Sequence, residues 1–247
     1  MIPFDCIIWK DSLVVKGLFS LKNPAYGQEH TIKGLNLGYN TPEKAEITQA
    51  HRNTWLEFAG ADPALTATGR QVHHNHVEVV TKGGVFENTD GFVTSTPGMS
   101  LGIFVADCGG ILLADEKNRV IGACHAGWKG AVLGIIPETI KKMVALGAQP
   151  ETICAFVSPC ISRKHFEVGE EVAEKFPEAF VDRSFAKPHV DLKGFIRQQL
   201  LDAGVSEQAI AVSEGCTVAD ADDYYSYRRE GAQSGRMMAL ITLKRPE

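Results

Sequence analysis

Short apolar runs, each stopped by Gly, Pro, Asp or Asn, recur along most of the chain. "LVVKGLF" (13–19), "VEVVT" (77–81), "GFVTS" (91–95) and "GIFVAD" (102–107) are β-branched or aromatic and read as strands. "ILLAD" and "VIGAC" flank the polar tetrapeptide "EKNR" and read as a hairpin. "ICAFVS" (153–158), "AIAVS" (209–213) and "MMALITL" (237–243) continue the strand pattern. Helical spacing interrupts it over 129–146, where Val132, Leu133, Ile136, Ile140, Met143 and Val144 share a face and Gly147 stops the run. Residues 169–176, 191–203 and 42–58 are the other predicted helices. Few strand–helix–strand alternations occur. The pattern therefore predicts an α+β fold of layered mixed or antiparallel β-sheets flanked by helices, with residues 1–247 forming a single domain.

The hairpin places reactive groups. With "EKNR" as its loop, Asp115 pairs with Val120, Ile111 faces Cys124 and Gly110 faces His125. Cys108 lies just before Gly110, and a turn at Gly109–Gly110 would swing its sulfur toward the His125 ring. A helix predicted from about residue 129 follows His125 closely, and its unpaired N–H groups suit an anion. A further set, His73, His74 and His76, precedes the strand at 77–81. In extended chain 74 and 76 share a side and 73 points away, so spacing offers one or two ligands without choosing them. One Cys and two His from separate segments suit zinc with an open fourth position. The same ligand types also serve copper.

Composition narrows the classes. Lys and Arg number 25 against 30 Asp and Glu, a net charge of −5, which excludes a broad nucleic-acid surface. No apolar run spans a bilayer, and the N-terminus lacks a basic, then apolar, then small-residue signal pattern. The expectation is a cytoplasmic chain with no membrane partner. There, its 6 Cys are thiols, ligands or nucleophiles rather than disulfides. Cys6, Cys154 and Cys160 sit in apolar contexts and read as core; Cys216 receives no role.

Several motifs then carry a resemblance. "QVH", "DGFVTSTPGMSLGIFVADC", "IGACHAGWKG", "SPCISRKHFEVGEEV", "CT" at 216–217 and "YSYRREGAQSGR" resemble the YfiH-type family, also called the laccase-domain, multicopper polyphenol oxidase or purine nucleoside phosphorylase family. The likeness runs from about residue 34 to the C-terminus. It implies a layered α+β fold and a zinc ion held by His73, Cys108 and His125. Arg52, in "AHRN", matches the Arg of the family's "NR" segment, although His51 replaces the Asn. Asn36, in "LNLG", matches a residue expected at the pocket. The chain departs from the family at Gly109–Gly110, at Ser158 before Pro159, and at Lys16, where a His is usual.

The resemblance implies a small-molecule enzyme, a monomer or small homo-oligomer. Its substrates would be a purine nucleoside and phosphate. Expected reactions are phosphorolysis of adenosine, inosine, guanosine and methylthioadenosine, with adenosine deamination as a second activity. Asp107 is the candidate for proton transfer, with capping of its turn as the structural alternative. Arg52 is the main phosphate candidate, with Arg228, Arg229 and Arg236 behind it. Copper-dependent phenol oxidation is disfavoured, because only His74-Asn75-His76 has the His-x-His form among 8 His. A different class stays open: Cys108 as nucleophile and His125 as base would make a thiol amidase acting on a cell-wall precursor.

Overall fold

A computed structural model describes residues 4–246; the first residues of the stretch read for a signal pattern lie outside them. The strands are Cys6–Asp11 (β1), Val15–Ser20 (β2), Thr66–Gly69 (β3), Val77–Val79 (β4), Gly84–Phe86 (β5), Gly91–Thr94 (β6), Ser100–Val105 (β7), Gly109–Asp115 (β8), Val120–Ala126 (β9), Cys154–Val157 (β10), Val181–Asp182 (β11), His189–Val190 (β12), Ile210–Val212 (β13) and Met237–Leu243 (β14). The α-helices are Ala45–Ala59 (α1), Trp128–Val132 (α2), Ile135–Ala145 (α3), Glu170–Ala173 (α4), Leu192–Asp202 (α5) and Tyr227–Glu230 (α6).

Two six-stranded mixed sheets form, in the orders β1-β2-β14-β7-β3-β5 and β13-β10-β8-β9-β6-β4. Period-two alternation explains how they stack. In β8, Ile111 and Leu113 enter a core shared with α3 and α5 residues such as Ile136, Met143 and Ile196. Leu112 and Ala114 point the other way, against Ile103, Ala239 and Ile241 of the first sheet. On that sheet's outer face, Leu18, Met238 and Leu240 pack against Trp55 and Leu56 of α1. The layers are therefore helix, sheet, sheet, helix. β8 and β9 are buried throughout, which is why they read as continuous apolar runs.

The hairpin register is as the sequence predicts: Gly110 opposite His125, Ile111 opposite Cys124 and Asp115 opposite Val120. Other expectations need correction. The helix over 129–146 is two helices, because Gly134 turns left-handed at φ 80° between α2 and α3. Pro137 then falls in the first turn of α3, where its missing N–H costs no hydrogen bond. Only Glu170–Ala173 of 169–176 is α-helical. The turn before β8 is not at Gly109–Gly110, which lie in the strand, but at Asp107, with φ 89°. The apolar pattern does not announce strands β1, β3, β5, β11 and β12; β3 and β5 are short and contain Gly, which weakens their pattern. Cys160 is buried as expected, whereas Cys6 and Cys154 are half-buried. Among the described residues no helix is long and apolar enough to cross a membrane.

Leu113 is 0% exposed in the helix-facing core. Leu113→Ala should lower unfolding free energy by about 2–5 kcal/mol in urea titration.

Candidate active site

The site is organised by Asp90, a residue that the sequence reading did not single out. It directly precedes β6 and is 0% exposed. Its Oδ1 accepts the His73 backbone N–H at 3.0 Å and His125 Nδ1 at 2.8 Å. Its Oδ2 accepts the N–H groups of Val72 and His74, each at 3.0 Å. Its own carbonyl accepts the His125 N–H at 2.7 Å. Burial acts to raise the Asp90 carboxyl pKa, but the bonds from His125, His74 and Val72 outweigh it and hold the value below the ordinary one. The three consecutive N–H groups form an anion nest, and the nest holds His73 in a left-handed conformation at φ 61°.

With Nδ1 donating to Asp90, His125 keeps Nε2 for the site. Cys108 arrives from the crossing between the sheets, after β7 and before β8. One ligand atom from each of His73, Cys108 and His125 lies within 4.8 Å of the others. The imidazole rings meet edge to face, with centroids 4.6 Å apart. His74 and His76 do not join this group; His76 instead pairs with Glu78 at 2.9 Å on the surface. The close approach has a steric condition at Gly127. A Cβ there would sit 2.8 Å from Cys108 Sγ and 3.1 Å from His73 Cδ2.

Burial pushes the Cys108 thiol up, yet the His125 charge and hydrogen bonds from His125 and His73 outweigh it and bring the thiol down to about 6. His125 moves the other way. Burial lowers it, while Cys108 and Asp90 raise it to about 9. The pair is thus a thiolate beside an imidazolium when no metal intervenes.

A cavity of about 820 Å³ opens over these groups, lined also by Arg52, Phe104, Trp128, Phe166, Tyr227 and Arg236. Arg52, from α1, donates Nε–H to the Leu37 carbonyl at 2.8 Å. Its guanidinium lies between the rings of Tyr39 and Phe104, 4.0 Å from each centroid. Burial lowers Arg52 to about 10, which leaves it a cation at neutral pH. No hydrogen bond among the described residues engages its two terminal nitrogens.

The remaining candidates divide by their partners. Asp107 lines the cavity, but its Oδ1 accepts the Thr217 hydroxyl and its Oδ2 the Arg228 N–H, both at 2.7 Å. Asn36 is fully buried and does not reach the cavity. Its Nδ2 donates to the Gly38 carbonyl and Thr41 Oγ1, and its Oδ1 accepts from Gly38 and Arg236 N–H. It therefore positions the Arg236 backbone. Arg229 is spent on the carbonyls of Thr217, Val218 and Tyr224. Arg228 and Arg236 do line the cavity.

The family model described as multi-copper polyphenol oxidoreductase laccase matches residues 18–244. The chain belongs to this laccase-domain family. A relative named purine nucleoside phosphorylase, from Deinococcus radiodurans, is 42% identical over 220 residues, 87% of this chain and 84% of the relative. Another of that name, from Corynebacterium glutamicum, is 34% identical over 85% of this chain and 87% of its own length. Among solved structures, the Bacillus licheniformis hypothetical protein YfiH aligns with a TM-score of 0.90 at 26% identity, covering 99% of this chain and 100% of that one. A Neisseria meningitidis protein aligns with a TM-score of 0.84 at 29% identity, over 98% and 99% of the two chains.

Asp90→Asn keeps the shape but places two N–H donors where the nest and His125 already donate. Metal affinity, measured by chelator competition, should fall about 10–100-fold. Loss of thermal stability with unchanged affinity would show that Asp90 supports the fold alone.

Proposed function

We propose that this laccase-domain chain is a zinc-dependent purine nucleoside phosphorylase with adenosine deamination as a second activity. One observation carries the reading: a His–Cys–His group and the uncommitted terminal nitrogens of Arg52 face the same cavity. The names of the bacterial relatives support it. The donor set fits zinc, since two imidazoles and a thiolate converge and Asp90 orients one imidazole through its second nitrogen. A zinc ion held by His73, Cys108 and His125 would supply Lewis-acid polarisation and leave one position open.

The chain's own residues do the rest. Arg52, stacked and desolvated, holds phosphate through its outer N–H groups, with Arg236 beside it. In phosphorolysis a phosphate oxygen bonds to the ribose C1′ as the C1′–N9 bond breaks, and the purine leaves with the electron pair. Tyr39 and Phe104 pack the faces of Arg52, so it approaches the anion edge-on. Asp107 acts through position: with both oxygens already accepting donors, it fixes the Cys108 turn against Thr217 and Arg228. Nucleoside and phosphate are the partners in this reading, the cytoplasm is the compartment, and the chain works alone or as a small homo-oligomer.

Copper-based phenol oxidation is disfavoured because the described residues supply one such three-ligand group, whereas a multicopper centre needs several. A thiol amidase is the second reading, favoured by one feature: Cys108, His125 and Asp90 form a nucleophile–base–orienter series. The two readings make opposite demands on Cys108, because a metal-bound thiolate is not free to attack.

Metal analysis and product assays separate them. Protein purified without added metal should hold about one zinc per chain. It should convert inosine plus phosphate to hypoxanthine and ribose-1-phosphate, and Cys108→Ala should lose both zinc and turnover. Metal-free, active protein labelled at Cys108 by an electrophilic substrate analogue sinks the zinc reading, and several coppers per chain would restore the oxidase.

Arg52→Ala should raise the phosphate KM about 10–150-fold, the loss of about 1.5–3 kcal/mol expected of a charge-assisted bond. Arg52→Lys should recover little of it, because the ammonium lacks the planar fork.

A further inference from the structure

A second cysteine–histidine pair adjoins the Asp107 turn. Cys160 and Cys216 are direct partners in an isolated parallel bridge, and Thr217 N–H donates to the Cys160 carbonyl at 3.4 Å. Bridged backbones run about 4.8 Å apart. That spacing is inside the roughly 4.4–6.8 Å Cα window from which a disulfide closes. Both residues are free thiols. Their surroundings differ. Both are buried, Cys160 at 0% and Cys216 at 7% exposure, and burial pushes the Cys160 thiol up to about 12. Cys216 Sγ lies 3.5 Å from His165 Nδ1, which also meets Ser162 Oγ at 3.1 Å. Burial raises the Cys216 thiol as well, but the Ser162 hydroxyl and the N–H groups of Ala219, Ser162 and Val218 outweigh it and lower the thiol below its ordinary value. His165 is half-buried and ends a short turn whose Arg163 and Lys164 are exposed.

We propose that Cys216 is a peroxide-reactive thiol and Cys160 its resolving partner, so that a hydroperoxide closes a Cys160–Cys216 disulfide. The Cys216 sulfur attacks a peroxide oxygen. An S–O bond forms as the O–O bond breaks, and the departing oxygen takes the thiol proton and leaves as water or an alcohol. The Cys160 sulfur then attacks the Cys216 sulfenic acid. The S–S bond forms, the S–O bond breaks, and hydroxide leaves with the Cys160 proton as water. The two thiols are oxidised and the peroxide is reduced. Cys108 is the other low-pKa thiol, but its partners are His73 and His125. The new bond joins the segments that grip Asp107 from both sides: Ile161 N–H donates to its carbonyl at 2.9 Å and Thr217 to its carboxylate. This inference stands apart from the identity of the substrate.

Peptide mapping of the protein with its own metal tests it. The protein is treated with stoichiometric hydrogen peroxide, alkylated, digested with trypsin and separated without reductant. The tryptic peptide 143–163, which carries Cys154 and Cys160, should appear joined to peptide 198–228, which carries Cys216. Reductant should part them. The link should persist in Cys154→Ser and vanish in Cys160→Ser, where dimedone should instead tag Cys216. A link through Cys154, oxidation confined to Cys108, or full alkylation of Cys216 after peroxide would overturn the proposal.

Discussion

A carboxylate shut away from solvent is costly unless its lone pairs are met, and Asp90 meets that condition by gathering four N–H donors. Three come from one turn and the fourth from His125. The same bonds therefore do several things at once. They hold His73 in a backbone conformation that is uncommon for a side-chain-bearing residue, and they set which His125 nitrogen faces the cavity. Remove the carboxylate and both histidines lose their reference point, although neither would lose a direct contact with the other.

Layering explains why the cavity lies where it does. Cys108 sits where the chain leaves the first sheet at β7 and enters the second at β8. His125 stands near the end of β9, two residues before the Gly127 that caps α2. His73 comes from the loop between β3 and β4, which connects the two sheets again. Two crossings and the end of β9 converge at one end of the sandwich, and α1 contributes Arg52 from the outer layer. The Cys108 sulfur and the His73 ring leave no room for a side chain at residue 127, which is why glycine stands there.

The electrostatics divide the cavity's labour. Without a metal, Cys108 and His125 offset each other's charge at the centre, while Arg52, Arg228 and Arg236 bring positive charge to the lining of a chain whose net charge is −5. Stacking of Arg52 between Tyr39 and Phe104 removes water from both faces of the guanidinium, and an anion at its edge then meets a charge with little hydration to lose.

Local pattern was sufficient where the governing interactions are themselves local. The "EKNR" loop determines the hairpin register, because a slip of one residue would exchange the β8 side chains that face the helices for those that face the other sheet. The motif likeness marked His73, Cys108, His125 and Arg52, and each of them lines the cavity. Other features depend on partners far away in the chain. Spacing could not separate His73 from His74 and His76, since the choice is made by a nest closed on Asp90, and nothing in "TDGF" announces that carboxylate's partners. Asn36 looked like a pocket residue, but its amide is consumed by Gly38, Thr41 and Arg236. The sequence by itself determined the central strands, how the hairpin pairs and which reactive residues the chain carries, because periodicity and turn chemistry act over a few residues. Only the tertiary structure decided which of those residues meet, because a buried charge selects its donors from whatever segments the packed layers bring within reach.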